Sequence, residues 1–289
     1  MGCGDVGLRV ARAAGPGVRV LALTSSPARV PTLRARGITP LTGNLDEPAS
    51  LRRLAGLATH VVHLAPPPGN GNDQWWRDPR TQALTRTLRL RGAPAALVYG
   101  STSGVYGDCG GAVVNETARL NASTPRAQRR VDAEALVRHL GRAALGGTRV
   151  NILRIPGIYA PDRDGGTPRA RLLKGTPVLD AADDVYTNHI HADDLARACL
   201  AALWRGKPQR VYNASDDTRL KMGDYFDLAA DLYGLPRPPR VPRSTARDEL
   251  PLVLLSFMSE SRQMDNTRLK AELRLKLQHP TVHTGLVSD

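Results

Sequence analysis

The chain has 289 residues, 41% hydrophobic and 23% charged, a composition that excludes a disordered chain and gives enough length for a two-lobed core. Its formal net charge is +13, but lysine occurs only at Lys174, Lys207, Lys221, Lys270 and Lys276, so the excess is arginine spread along the whole chain. With aromatic residues at 4% and no helix-turn-helix or zinc-finger spacing, no nucleic-acid partner is expected.

No apolar run approaches the ~18 residues that a membrane span needs, and the longest candidate, Leu250 to Met258, contains Pro251 and Ser256. Cys3, Cys109 and Cys199 are scattered and odd in number, which predicts a reducing, cytoplasmic setting without disulfides. Neither they nor His60 and His63 have metal-ligand spacing, so no metal is expected.

Taken in order, the chain opens on Gly2-Cys3-Gly4-Asp5-Val6-Gly7, which has G-x-G-x-x-G spacing. The first glycine permits a tight turn, the second lets the backbone approach a pyrophosphate, and the third lets a helix pack against its strand. Leu8, Val10, Ala11 and Ala14 then fall on one side of a helix whose N-terminus would face that pyrophosphate. Val18 to Thr24 reads as a buried strand, Pro27 to Gly37 as a helix and Ile38 to Leu41 as a short strand. Pro48 opens a turn in which Leu51 and Leu54 supply an apolar stripe. His60 to Ala65 is the next strand, followed by a loop over Pro66 to Asp73 whose proline and glycine density excludes regular structure.

Asp78 to Arg91 reads as a helix, Ala95 to Tyr99 as a strand, Gly100 to Gly111 as a loop, Pro125 to Leu145 as a long helix and Arg149 to Ile155 as a strand. This alternation predicts an α/β fold with a doubly wound parallel sheet. Tyr159 to Gly175, rich in Gly, Pro, Asp and Arg, is expected to cap a site. Beyond it lie a helix over His191 to Trp204, a strand over Arg210 to Ala214, and a helix over Gly223 to Gly234. A proline spacer, Leu235 to Pro242, and a helix over Asn266 to Leu277 complete the chain. Residues 1–155, with 185–214 returning to them, are expected to form a nucleotide-binding lobe; 156–184 and 215–289 would form a small substrate lobe.

Only Met1 precedes the glycine turn. In a sheet of order 3-2-1-4-5-6 the first strand lies in the middle and supplies about 5–6 mostly apolar residues. The strands at Val18 to Thr24 and His60 to Ala65 are therefore expected to face each other across a gap, one strand too far apart to pair. A start upstream of Met1 is the favoured expectation; a sheet that closes up or borrows a strand is the alternative.

Four signatures occur in order: Gly2 to Gly7, Gly100-Ser-Thr-Ser-Gly-Val-Tyr-Gly107, Leu153-Arg-Ile-Pro-Gly-Ile-Tyr-Ala-Pro161, and Asn188-His-Ile-His-Ala-Asp-Asp-Leu-Ala196. On these the chain resembles the extended short-chain dehydrogenases/reductases, the superfamily of nucleotide-sugar epimerases and dehydratases, with a Rossmann lobe. Its tail motif Leu255 to Asn266, with Tyr212 to Asp217 and Lys221 to Phe226, resembles an atypical bacterial subgroup described as NAD-dependent epimerase/dehydratase-like.

The resemblance implies a Ser/Thr, a Tyr and a Lys acting together, the lysine holding the nicotinamide ribose and lowering the phenol's pKa. The hydroxyl maps onto Thr102, but the Tyr and Lys positions fall on Arg126 and Arg130, with Glu134 where the family often has an acid. Arg130 keeps a positive charge for the ribose, whereas a guanidinium at 126 stays protonated above pH ~12 and cannot relay a proton. Tyr106, Tyr159, His189 and His191 are the remaining relay candidates, with packing the favoured reading of Tyr106. Asp193 and Asp194 read as helix caps.

Cofactor contacts implied by the resemblance are Gly2, Gly4, Asp5, Val6 and Gly7 in the turn, Ser25 and Arg29 behind the second strand, Asn44 and Leu45, Ala65 and Pro66, and Pro156. Asn44 stands where relatives carry an aspartate facing adenine. NADP is expected over NAD, because the strand end reads Leu23-Thr24-Ser25-Ser26 with no acid and Arg29 close behind. Three readings stay open. The first is an NAD(P)-dependent oxidoreductase or epimerase transferring hydride to or from a small carbonyl or sugar-like substrate. The second is an NADP(H)-binding sensor without efficient catalysis, and the third a damaged chain that binds nothing well. A small molecule is the expected partner, with a homodimer left open.

Overall fold

The structure, a computed structural model, describes residues 1–69, 74–143, 147–250 and 252–287. Residues 70–73 of the expected proline–glycine loop and 144–145 of the expected long helix lie outside them. Helix α1 (Asp5–Ala14) starts on the glycine turn, with extended Gly4 in front and Gly15 at φ 78° ending it. The chain continues through β1 (Leu21–Thr24), α2 (Val30–Ala35), β2 (Thr39–Thr42), β3 (His60–His63), α3 (Pro79–Leu88), β4 (Ala96–Thr102), β5 (Val113–Val114), α4 (Pro125–Ala143) and β6 (Arg149–Ile155). Next come β7 (Gly157–Tyr159), α5 (Arg169–Leu173), β8 (Val178–Leu179), β9 (Tyr186–Thr187), β10 (His189–His191), α6 (Ala192–Arg205), β11 (Arg210–Asn213), β12 (Leu220–Lys221) and α7 (Met222–Tyr233). The tail holds β13 (Arg240–Val241), α8 (Arg243–Glu249), α9 (Leu252–Phe257), β14 (Gln263–Met264), α10 (Thr267–Leu273) and α11 (Val282–Gly285).

Strands β11, β6, β4 and β3 form a parallel sheet in that order, and β1 and β2 form a separate parallel pair. Successive side chains of a strand point to opposite faces, and here both faces are covered. Ala96, Val98, Leu153 and Ile155 pack with α1, α6 and α10 through Val10, Leu195, Cys199 and Leu269. Leu97, Tyr99, Val150 and Ile152 face the other way, onto Leu84 and Leu88 of α3 and Val137 and Leu140 of α4. A third cluster joins Tyr159, Leu172 and Leu179 to Tyr225, Phe226 and Ala229 of α7 and to Met258.

The expected gap is present: among the described residues no strand links β1 to β3. Met1 supplies a single rung there, its amino group donating to the Val62 carbonyl at 2.7 Å and its carbonyl accepting from Leu64 N–H at 3.0 Å.

Three element boundaries differ from the sequence reading for identifiable reasons. β4 runs three residues past Tyr99 because Gly100, Ser101 and Thr102 pair with Leu153, Arg154 and Ile155, a ladder that local polarity does not reveal. β1 begins only at Leu21, where pairing with Thr39 starts. α10 stops at Leu273 instead of Leu277 because Arg274 takes a left-handed conformation at φ 48°.

Candidate functional site

The three glycines of the turn each meet a distinct constraint. Gly2 has φ 74°, and a Cβ there would overlap the backbone of Leu64 and Ala65. At Gly7 a Cβ would stand 2.9 Å from the Gly2 carbonyl oxygen, so α1 packs against its own entry turn. Gly4 has φ −78° and borders open space, a Cβ meeting nothing within 4 Å. The backbone therefore closes on the protein at Gly2 and Gly7 and leaves an approach at Gly4, which fits a dinucleotide's pyrophosphate at the helix end.

This turn is one wall of a cleft of about 740 Å³ that reaches past the C-terminal ends of β4 and β6 to α5, α7 and the tail. Gly2, Gly4, Asp5, Val6, Gly7, Thr102, Arg126, Arg130 and Pro156 all line it. Of the other expected cofactor contacts, Arg29 reaches back to the turn, its Nη2 donating to the Cys3 carbonyl at 2.6 Å, while Ser25 is exposed beyond β1. Asn44 spends its side chain locally, accepting from Asp46 N–H at 3.0 Å and donating to Glu47 at 3.2 Å. Leu45 packs against the core formed with Leu51 and Tyr99. Ala65 is buried beside Gly2, and the Pro66 carbonyl accepts from Arg80 at 3.0 Å.

At the strand ends, Thr102 Oγ1 accepts from Gly104 N–H at 3.3 Å, so its own hydrogen can be offered to a ligand oxygen. Arg130, packed from α4, donates through Nη1 to the Tyr99 hydroxyl at 3.1 Å and the Gly100 carbonyl at 2.7 Å, which fixes a positive charge at the end of β4. Arg126, one turn earlier on α4, is an exposed residue of the cleft wall.

Tyr106 lies outside the cleft wall. It is buried, donates to Asn213 Oδ1 at 2.7 Å and accepts from Arg154 Nη1 at 2.9 Å, and burial raises its pKa. Tyr159 is also buried; its hydroxyl donates to the Thr281 carbonyl at 3.2 Å, and burial again raises its pKa. His189 is buried on the cleft, its ring 4.2 Å from that of Tyr225, and burial pushes its pKa down to about 3, so it is a neutral imidazole. The His191 ring caps α6, Nδ1 accepting from Asp193 N–H at 3.2 Å. Asp193 meets Arg9 at 2.8 Å, and Asp194 accepts from Gln278 and His279 N–H at 2.9 and 2.8 Å, so both acids hold helix ends and neighbours together.

The far wall holds residues to which the sequence reading assigned no role. Arg171 of α5 lies with its guanidinium 4.3 Å from the Phe226 ring centre, and its Nε and Nη2 are buried with no hydrogen-bond partner. Burial lowers its pKa. Arg262 donates to the Gly107 carbonyl at 2.7 Å and to Glu260 at 2.8 Å, while its buried Nε has no partner. The one sequence signal for Arg262 is its place in the tail motif; Arg171 has none beyond the arginine-rich texture of its segment.

Among solved structures, a functionally unknown conserved protein from Silicibacter pomeroyi DSS superposes with a TM-score of 0.80 at 29% identity, over 99% of this chain and 94% of that one. The UDP-glucose 4-epimerase of Thermotoga maritima, solved with UDP-glucose, gives a TM-score of 0.78 at 19% identity, over 99% and 94%. MoeE5, solved with UDP-glucose and NAD, gives 0.73 at 22% identity, over 99% and 94%. These likenesses define an α/β protein with a Rossmann-type parallel sheet. The family model for the NAD dependent epimerase/dehydratase family matches residues 4–215, and the chain belongs to that family. Protein YeeZ of Escherichia coli K12 is 26% identical over 184 residues, 64% of this chain; the chain thus spans 58% of the length of that relative.

Proposed function

We propose that this protein binds NADP(H) in preference to NAD(H) and exchanges a hydride with a small carbonyl or sugar-like substrate that carries an anionic group. The observation behind this reading is the run of one cleft from the glycine turn to Arg171 and Arg262, whose unpaired guanidinium nitrogens are buried at its far end. Buried donors left unsatisfied cost on the order of 1–3 kcal/mol each, and an anionic ligand group would satisfy them. MoeE5 and the Thermotoga maritima epimerase were solved with UDP-glucose, a ligand of this kind.

When bound, the nicotinamide supplies or accepts the hydride. The chain's own groups have separate tasks. The glycine turn and the α1 N-terminus hold the pyrophosphate, Arg29 faces the adenosine ribose, and Arg130 places positive charge beside the nicotinamide ribose. Thr102 donates to the reacting oxygen. Within 156–184 and 215–289, the expected substrate lobe, α5, α7 and the chain around Arg262 form the wall that would cover a substrate, whereas α10 packs on the main sheet. The three unpaired thiols suit a reducing, cytoplasmic compartment.

Arg29 carries the NADP preference. Its guanidinium already lies at the turn, and no carboxylate stands at the end of β1 to repel a 2′-phosphate. A single charge-assisted contact is worth about 1.5–3 kcal/mol, so NADPH should bind roughly tenfold or more tightly than NADH. Fluorescence titration of both checks this, and equal or tighter NADH binding would overturn it.

The reaction itself is tested by incubating the protein and NADP(H) with a panel of UDP-sugars and small aldehydes, following nicotinamide absorbance and sugar configuration. Substrate-dependent change is expected, with KM raised about tenfold or more in Arg171→Ala, the size of one lost charged contact. A second reading follows from the resemblance, which puts Arg126 at the position of the family's proton-exchanging phenol, together with the tie of Arg130 to Tyr99 and Gly100. Tight NADPH binding with no conversion of any substrate would establish that reading, a nucleotide sensor, over the first.

A further inference from the structure

The segment after β7 folds into a tight turn that reaches back over α1. Arg163 N–H donates to the Ala160 carbonyl at 3.2 Å, Gly166 N–H to the Arg163 carbonyl at 2.9 Å, and Ala160 N–H to the Gly166 carbonyl at 3.2 Å. At its tip, Asp162 accepts from Arg9 Nη2 at 2.6 Å and Arg163 Nε stands 3.3 Å from Asp5 Oδ2. Arg9 is 6% exposed and is shared by Asp5, Asp162 and Asp193, so the tether ends in a nearly buried charge on α1. Arg163 is held from a second side, Nη1 donating to the Ile158 carbonyl at 2.9 Å.

The position of Asp5 is unusual for what it must tolerate. It is the first residue of α1 and lines the cleft with Gly2 and Gly4, at the helix end that fits a pyrophosphate. A carboxylate suits a helix N-terminus, but it repels a dianion bound to the same N–H groups. Arg163 lines the same cleft and faces that carboxylate. A guanidinium has five donors, more than Asp5 and Ile158 use, and its planar fork matches phosphate oxygens.

We propose that Arg163 contacts the cofactor's pyrophosphate, with Asp5 and the Arg9–Asp162 pair as positioning residues, so that the 160–166 turn acts as a strap across the glycine turn. This rests on the cofactor reading above. The strap brings in a cation that offsets the charge of Asp5 and supplies N–H donors to the anion site.

The test is titration of wild type, Arg163→Ala, Arg163→Lys and Asp162→Ala with NADPH and with ADP-ribose, which retains the pyrophosphate but lacks nicotinamide. Melting temperatures without ligand and Kd at low and high salt complete it. In Arg163→Ala both ligands should weaken by a similar factor of about tenfold or more, with a flatter salt dependence and an unchanged melting temperature. Arg163→Lys should recover part of the affinity, and Asp162→Ala should show a smaller loss. Unchanged ADP-ribose affinity in Arg163→Ala would overturn the proposal, as would a loss confined to NADPH or one matched by a fall in melting temperature. A wild type that binds neither ligand would overturn the cofactor reading itself, and this inference with it.

Discussion

Replacing Glu134 by alanine is expected to destabilise the fold by about 3–5 kcal/mol, the cost of stranding a buried cation. Glu134 and Arg154 have side chains 2% and 3% exposed and are joined by a bidentate pair at 3.1 and 2.9 Å. The same carboxylate accepts from Ser101 Oγ at 2.7 Å, and Arg154 Nη1 donates on to the Tyr106 hydroxyl at 2.9 Å and the Glu116 carbonyl at 3.3 Å. Tyr106 in turn donates to Asn213, whose amide donates to the Val114 and Asp265 carbonyls at 3.1 and 3.0 Å. This network ties the C-terminal ends of β4, β6 and β11 to α4 and the tail, the floor beneath Thr102. Without Glu134, Arg154 keeps two weaker acceptors and loses its counter-charge.

Urea unfolding monitored by circular dichroism would show the shift in midpoint at constant slope. The double variant Glu134→Leu with Arg154→Met should recover much of the loss, since removing both partners leaves no charge stranded. A Glu134→Ala variant within about 0.5 kcal/mol of wild type, the range of an ordinary surface change, would contradict this account.

The parts of this molecule legible from sequence are those whose physics is local. The glycine turn is one, because steric needs at Gly2 and Gly7 and open space at Gly4 follow from spacing alone. The strand Arg149 to Ile155 is another, since Val150 and Ile152 on one face and Leu153 and Ile155 on the other supply apolar side chains to both sides of a sheet. The gap between β1 and β3 could likewise be read, because strand order follows from the alternation of elements and a central strand needs residues to build it.

What could not be read depends on residues distant in sequence. Gly100 to Thr102 look like loop until β6 offers them a ladder. Tyr106 sits in a loop that suggests chemistry, yet Arg154 and Asn213 hold its hydroxyl inside. Asn44 stands where the resemblance implies an adenine contact, and folding engages its amide with Asp46 and Glu47. The arginines of the far wall were hidden in a chain where arginine is everywhere. Only folding separates Arg163, Arg171 and Arg262, which line the cleft, from Arg237, which pairs with Asp231 at the surface.

The central claim is that the cleft at Gly2 to Gly7 is a nicotinamide dinucleotide site, and Gly4 offers a test that separates binding from folding. Its φ of −78° lies outside the left-handed region and a Cβ there meets nothing within 4 Å, so Gly4→Val should keep the fold, with a fall in melting temperature no larger than the loss of a favourable helix N-cap, about 1 kcal/mol. The valine side chain would nevertheless fill the space through which the backbone approaches the pyrophosphate. The decisive measurement is therefore calorimetric titration of wild type and Gly4→Val with NADPH, alongside their melting curves. A saturable wild-type isotherm is expected, with a loss of roughly 100-fold or more in the variant, about 2.7 kcal/mol of binding energy, in a protein that still unfolds in one cooperative transition. Equal affinity in the two proteins, or no binding by the wild type, would contradict it.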